Sequence, residues 1–276
     1  MRVTAAPLTV RWTVGNVTDQ GFEALALSVR GATRLFGPDT RYVVYVNSCS
    51  IAEARSRTGD LPRVQWQTAR HSDLPPLLKG HLDSGLAEGV GWKFAPLRAD
   101  AGRHELALDN DCILWSVPPS VRRWLASTAG ECLLAEDVRP CFGQFADLCG
   151  AEPRNTGIRG LPRGFDLEEV IHRVLRRRGV VLGSETDEQG LQVAALSLAR
   201  RPLVVSTRAV TICSPFYTHQ QHLGECGAHF VGINARTLPW DYYGRPAVEC
   251  LRDHWRRLRP AIEARVRAAG RTLASG

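Results

Sequence analysis

The sequence predicts an α/β protein with a mostly parallel central sheet flanked by helices, and three observations carry that prediction. Short β-branched and aromatic runs alternate with helix-periodic segments between Leu8 and Thr68, and parallel strands need such crossovers. Hydrophobic residues make up 44% of 276 positions, enough to fill the core of one large domain. Two acids, Asp109 and Asp111, follow an apolar run, and open α/β sheets bind ligands beyond the carboxyl ends of their strands.

Leu8-Thr9-Val10-Arg11-Trp12-Thr13-Val14-Gly15 alternates as a first strand closed by a glycine turn, and Phe22 to Phe36 carries a helix-like apolar pattern. Arg41 to Asn47 is a second strand ending in the polar loop Asn47-Ser48-Cys49-Ser50. Ile51 to Arg57 then predicts a short helix, and Arg63 to Thr68 a third strand. His71 to Gly91 is rich in Pro, Gly and Asp and reads as a loop able to fold over a substrate. Ser116-Val117-Pro118-Pro119-Ser120 suits the start of a helix running through Ala126. Glu131 to Asp137 reads as a strand ending in acids, Phe142 to Pro153 has no single pattern, and Asn155 to Gly160 is turn-rich. Asp166 begins an amphipathic helix in which Glu169 completes a capping box. Arg173, Arg176, Arg177 and Arg178 at its end suit the negative helix terminus. Asp187-Glu188-Gln189-Gly190-Leu191 opens another helix, Leu203 to Ser206 and Val210 to Cys213 are late strands, and an arginine-rich helix runs from Pro246, interrupted at Pro260. One domain is expected over 1–276, with a nucleotide-binding half at 1–115, an acceptor and catalytic half at 116–244, and a helical cap at 245–276.

The net charge of +7 comes almost wholly from arginine, since Lys79 and Lys93 are the only lysines. Arginine suits phosphate groups, so nucleotides, nucleic acid and anionic lipid are all compatible partners, although the excess also fits a compositional habit. The 8 cysteines contain no Cys-x-x-Cys pair, which argues against a zinc knuckle or a thioredoxin-like motif. No apolar run reaches the length of a membrane span, and Met1-Arg2-Val3-Thr4 lacks the apolar core of a signal peptide. A cytoplasmic protein without a transmembrane segment is expected. There is no Gly-x-Gly-x-x-Gly and no Walker loop.

Glu105-Leu106-Ala107-Leu108-Asp109-Asn110-Asp111-Cys112-Ile113-Leu114-Trp115 reads as a buried strand interrupted by two carboxylates. Desolvating two like charges side by side needs a neutralising partner, for which a divalent cation is one candidate. The other reading is an Asp-Asn-Asp turn. Lys93 and Arg98 precede this stretch and fit either phosphate contacts or a solvated basic segment. The Asp187-Glu188-Gln189 cluster fits a helix cap or hydrogen bonds to a polar substrate. His219, His222 and His229 lie in a Gly-rich tract without a fixed ligand spacing. Trp240, Tyr242 and Tyr243 fit core packing or stacking on an acceptor sugar.

The order of these motifs resembles the GT-A fold glycosyltransferases, and among them the family eight enzymes that include glycogenin and the bacterial galactosyl- and glucosyltransferases. Glu105 to Ile113 resembles the family's Asp-x-Asp strand, preceded by a segment carrying Lys93. Asn155-Thr156-Gly157-Ile158 resembles its Asn-Ser/Ala-Gly-Val segment, and Asp187 to Leu191 its Asp-Gln-x-x-Leu segment. Ala228-His229-Phe230-Val231-Gly232 through Pro239-Trp240 resembles its late His-Phe-x-Gly…Lys-Pro-Trp motif, with the lysine missing and Arg236 the nearby cation.

That resemblance implies a metal-dependent transferase moving a sugar from a nucleoside diphosphate donor, a UDP-sugar first among them, to a hydroxyl acceptor, with a lean toward retention. It implies that Asp109, Asp111 and His229 hold Mn²⁺ or Mg²⁺, and that Lys93, Arg98, Asn110 and Gly232 lie on the donor side. Asn155, Asp187, Glu188 and Gln189 would face the reacting sugar. Either Glu188 or Gln189 takes the family's glutamine position, which leaves nucleophilic and front-side routes both open. The alternatives are a sugar nucleotidyltransferase, for which Gly15-Asn16 is a sparse phosphate loop, and an arginine-rich nucleic-acid-binding module.

Overall fold

Strands β1 (Leu8–Val14), β2 (Arg41–Val46) and β3 (Val64–Thr68) form where Val, Tyr, Trp and Thr concentrate, and they pair in parallel. The molecule is described by a computed structural model over residues 7–81, 92–176 and 179–270. The readings of Met1 to Thr4, of 82–91 in the Pro- and Gly-rich loop, and of Arg177 and Arg178 lie outside the described residues. Two helices make the crossovers. Thr18 caps α1 (Asp19–Phe36), its hydroxyl accepting from Gly21 N–H, and Ser50 caps α2 (Ile51–Thr58) by accepting from Glu53 N–H. A short helix α3 (Pro76–Lys79) follows.

β4 (His104–Leu108) joins the free side of β1 in parallel. The chain does not continue as one strand through the acids. It turns at Asp109, whose carbonyl accepts from Cys112 N–H, and β5 (Cys112–Leu114) leaves for a second sheet. α4 (Pro119–Ala126), β6 (Leu133–Glu136), α5 (Ala146–Cys149) and β7 (Arg154–Leu161) come next. Asn155 to Gly160, read from its composition as turn-rich, is thus inside a strand, because it pairs on both sides, with β4 and β6. α6 (Leu167–Leu175) and α7 (Glu185–Ala199) precede β8 (Leu203–Val205), which completes the first sheet in the order β3-β2-β1-β4-β7-β6-β8. Among the described strands of this sheet, β7 runs against the other six.

The second sheet, β5-β10-β9, uses β9 (Val210–Ile212) and β10 (Gly227–His229). A two-residue-turn hairpin, β11 (Asp241–Tyr242) and β12 (Arg245–Pro246), leads into α8 (Ala247–Ala268). α8 runs unbroken through Pro260, against the interruption expected there. One core packs Trp12, Phe22, Leu25 and Trp124 on one face of the first sheet, and a second packs Tyr45, Phe145, Ile171 and Leu191 on the other. A third joins α1 to α8 and the small sheet through Leu27, Ile113, Phe230 and Trp255. All 8 cysteines are free thiols. Among the described residues, no helix is long and apolar enough to cross a membrane.

Candidate metal and active site

The corner where β4 becomes β5 is pinned from three sides. Asp109 N–H donates to Gly157 O at 2.9 Å, Phe230 N–H donates to Asp111 O at 2.9 Å, and β10 pairs with β5 so that His229 stands opposite Cys112. Two strands and a turn therefore converge Asp109, Asp111 and His229, with one ligand atom from each lying within 4.8 Å of the others. His229 Nε2 is 3.2 Å from Asp111 Oδ1 and 3.6 Å from Asp109 Oδ2. Asp111 Oδ2 accepts from Asn234 Nδ2 at 3.1 Å, whereas its Oδ1 is buried with only the His229 ring at 3.2 Å beside it, in poor hydrogen-bond geometry. A buried carboxylate oxygen left without a donor is costly. Two hard carboxylates with one imidazole form a donor set that fits Mn²⁺ or Mg²⁺. Burial pulls the His229 pKa down, but Asp111 and then Asp109 outweigh it and hold the ring above its ordinary value.

Lys93 ties the acids to α7. Its Nζ is 2.9 Å from Asp109 Oδ1 and 3.5 Å from Glu188 Oε2. Burial alone would lower the Lys93 pKa; the Asp109 and Glu188 carboxylates more than reverse that and keep the ammonium charged. Burial raises the Glu188 carboxyl from 4.5 to about 7 even though Lys93 opposes the rise, Asp109 adding to it. Glu188 Oε1 accepts from Gln192, whose carbonyl accepts from Arg159, and Arg159 Nη2 donates to Glu105 Oε1 at 3.1 Å. Arg11 stands on the other side of Glu105 at 3.8 Å and donates to Pro96 O. A chain of buried polar groups thus runs from the metal corner into the first sheet.

The other expected site residues divide. Asn155 faces inward from β7, donating to Asp137 Oδ2 at 3.0 Å and accepting from Gly157 N–H. Gln189 spans Cys141 O and Thr156 N–H, and Asp187 accepts from Gln144 N–H and Gly183 N–H. Those backbone bonds draw the Asp187 pKa down against its burial. Gln189 thereby ties α7 to β7 and to Cys141, and Asp187 ties α7 to Gln144 and to the segment before the helix. α7 itself opens at Glu185 after the Ser184 cap, two residues ahead of Asp187.

The side chains of two residues expected on the donor side are engaged within the protein. Arg98 sits at the amino-terminal end of β4, where its guanidinium is consumed by the carbonyls of Pro162, Phe165 and Arg103. Asn110 pairs amide to amide with Asn234, which also donates to Asp111 Oδ2, and Asn110 donates to Gly21 O. Gly232 takes φ +87° and turns the chain from His229 back toward Asn234. Of the three histidines, His229 alone joins the cluster: His219 bonds Ser214 Oγ at 2.6 Å and His222 is exposed.

Sequence reasoning missed Asn234, Gln192, Asp137 and the partnership of Arg11, Glu105 and Arg159. Charged residues at buried positions of strands were the available signal, since Arg11 sits between Val10 and Trp12 and all three are buried.

No protein-family model matches the chain, and no curated protein matches it. Solved structures do. One is the galactosyltransferase LgtC in complex with donor and acceptor sugar analogues, at a TM-score of 0.53 and 12% identity, over 90% of this chain and 95% of that one. Another is the apo form of mouse xyloside xylosyltransferase 1, at a TM-score of 0.53 and 11% identity, over 80% of this chain and 96% of that one. Likeness at this level of identity is a likeness of architecture, and by it the chain has the GT-A fold of the glycosyltransferases.

Proposed function

We propose that this chain is a metal-dependent glycosyltransferase that moves a sugar from a nucleoside diphosphate sugar, a UDP-sugar first, to a hydroxyl acceptor with retention of configuration. The observation that carries the reading is the Asp109, Asp111 and His229 cluster at the carboxyl end of β4, two carboxylates and an imidazole with ligand atoms within 4.8 Å of one another. These three residues would hold Mn²⁺ or Mg²⁺, which when bound offsets the charge that builds on a departing diphosphate. Lys93 holds Asp109 and Glu188 together and supplies a fixed positive charge beside them. Glu188 is the carboxylate assigned to the reacting sugar carbon, a reading supported by its contact with Lys93, while the backbone bonds of Gln189 favour a bracing role for that amide. Arg236, in place of the family's lysine, bonds Asn16 O at 3.0 Å over the turn after β1, where the donor phosphates are proposed to lie.

The test is a thermal-shift panel of UDP, GDP, CDP and dTDP, each with Mn²⁺, Mg²⁺ or EDTA. A nucleotide at about a hundred times its dissociation constant adds roughly 2.7 kcal/mol. The expected result is a shift with UDP that needs the metal. No shift with any nucleotide, or one indifferent to EDTA, overturns the reading.

A further inference from the structure

Aromatic rings left in water call for a partner, and one face of this molecule gathers several. Tyr243 is 89% exposed, Tyr217 88% and Trp240 42%. Trp240 and Tyr243 belong to one cluster: Phe216 lies 4.5 Å from Trp240 and 5.2 Å from Tyr242, and Tyr242 lies 4.6 Å from Tyr243, centroid to centroid. The turn of the β11–β12 hairpin holds Tyr243 at φ +50° and Gly244 at +74°. Positive φ at both turn positions is the geometry that a two-residue hairpin turn requires. Here it presents the Tyr243 ring at the hairpin tip.

We propose that this hairpin and the 214–222 loop form a saccharide platform on which the sugar chain that accepts the transferred residue stacks. The proposal rests on the transferase reading above. Beside the rings runs a groove of about 370 Å³, within the range of small-molecule sites, lined by Gln221, Tyr242, Tyr243, Arg245, Asp253 and Arg257. A pyranose presents an apolar C–H face and a rim of hydroxyls, so it calls for ring faces next to mixed donors and acceptors. The groove supplies both. Asp253 is 2.7 Å from Arg245 and 3.0 Å from Arg256, and this pairing lowers the free positive charge that a phosphate or an anionic headgroup would seek.

The platform is continuous with the metal corner. Cys213 N–H donates to His229 O at 2.7 Å, and Phe216 follows Cys213 by three residues, about 11 Å of fully extended chain. Within the same loop His219 bonds Ser214 and lies near enough to Asp137 and His229 for their charges to bear on it. The loop that carries Phe216 therefore borders both the rings and His229.

The test labels the full chain and exposes it to a printed array of pentose, hexose, amino-sugar and uronic-acid glycans, alongside vesicles of phosphatidylcholine and phosphatidylglycerol. Wild-type protein is expected to bind one glycan class. Trp240→Ala and Tyr243→Ala should each weaken that binding about tenfold, and Trp240→Phe should retain it. All three should keep the melting temperature and any metal-dependent nucleotide shift of the wild type. No glycan binding, binding indifferent to both alanine variants, or binding to the vesicles in place of the glycans overturns the platform. Loss of the platform with an intact nucleotide shift leaves the transferase reading standing. Glycan binding without a nucleotide shift overturns that reading and, with it, the acceptor role given to the platform.

Discussion

Gly157 has no side chain, and that absence admits His229 to the metal corner. A Cβ on Gly157 would fall 2.3 Å from His229 Cε1 and 2.6 Å from its Nδ1. With the ring in place, Asp111 is the proposed metal ligand nearest to it. Asp111→Asn should keep the fold but abolish the metal-dependent nucleotide shift. It should also slow transfer by several kcal/mol of lost stabilisation, roughly a hundredfold or more. A variant with wild-type turnover would remove Asp111 from the metal site. Glu188 makes a prediction about pH. Its folded pKa of about 7 exceeds the ordinary 4.5, so between those values the folded state holds a proton that the unfolded state releases. The stability so gained is complete below about pH 4 and is lost as pH rises through 7. Glu188→Gln escapes that loss. Its melting temperature relative to wild type should rise by several degrees from pH 5 to pH 8, and a pH-independent difference would show that burial of this carboxylate carries no such cost.

At the scale of elements, the first sheet is cross-linked by charge as well as by its backbone. Arg11 on β1, Glu105 on β4 and Arg159 on β7 meet across three adjacent strands, almost wholly removed from water. Arg159 then passes through Gln192 to Glu188 on α7, so sheet and helix share one polar network. Breaking a buried pair by removing one partner costs about 3–5 kcal/mol, because the remaining charge is left uncompensated. Arg159→Leu should therefore lower the thermal midpoint by roughly 6–20 °C. A loss of only a degree or two would mean that Arg11 and water satisfy Glu105 without help. The same network shows why elements were read more easily than their junctions. The amphipathic pattern of α6, with Leu167, Val170, Ile171 and Val174 buried, is local and was legible. The strand at Asn155–Gly160 was not, since Asn and two glycines are turn residues by composition and become a strand only between β4 and β6.

For the whole molecule, α8 is the closing element. Trp255, Ile262 and Val266 are buried against α1 and the small sheet, Trp255 Nε1 donates to Glu23 at 2.8 Å, and the Arg265 guanidinium lies over Trp115. Burying three large side chains contributes about 5–9 kcal/mol, comparable to the total stability of an ordinary domain. A chain cut after Pro246 should therefore lose cooperative unfolding and its near-ultraviolet dichroism. Retention of both would make α8 dispensable. What sequence alone determined about this protein is what depends on neighbours along the chain: the alternating strands and helices of the first half, their caps, and the acidic pair after β4. Four motifs in a resembled order also pointed to the GT-A fold. Tertiary structure decided what depends on residues far apart in the chain. It placed His229 118 positions beyond Asp111, bonded Asn234 to both Asn110 and Asp111, and engaged Arg98 with backbone carbonyls. It also left Trp240 and Tyr243 in water. The reason is physical: helix and turn preferences are settled within a few residues, whereas a buried charge or an exposed ring is defined only by what the folded chain brings beside it.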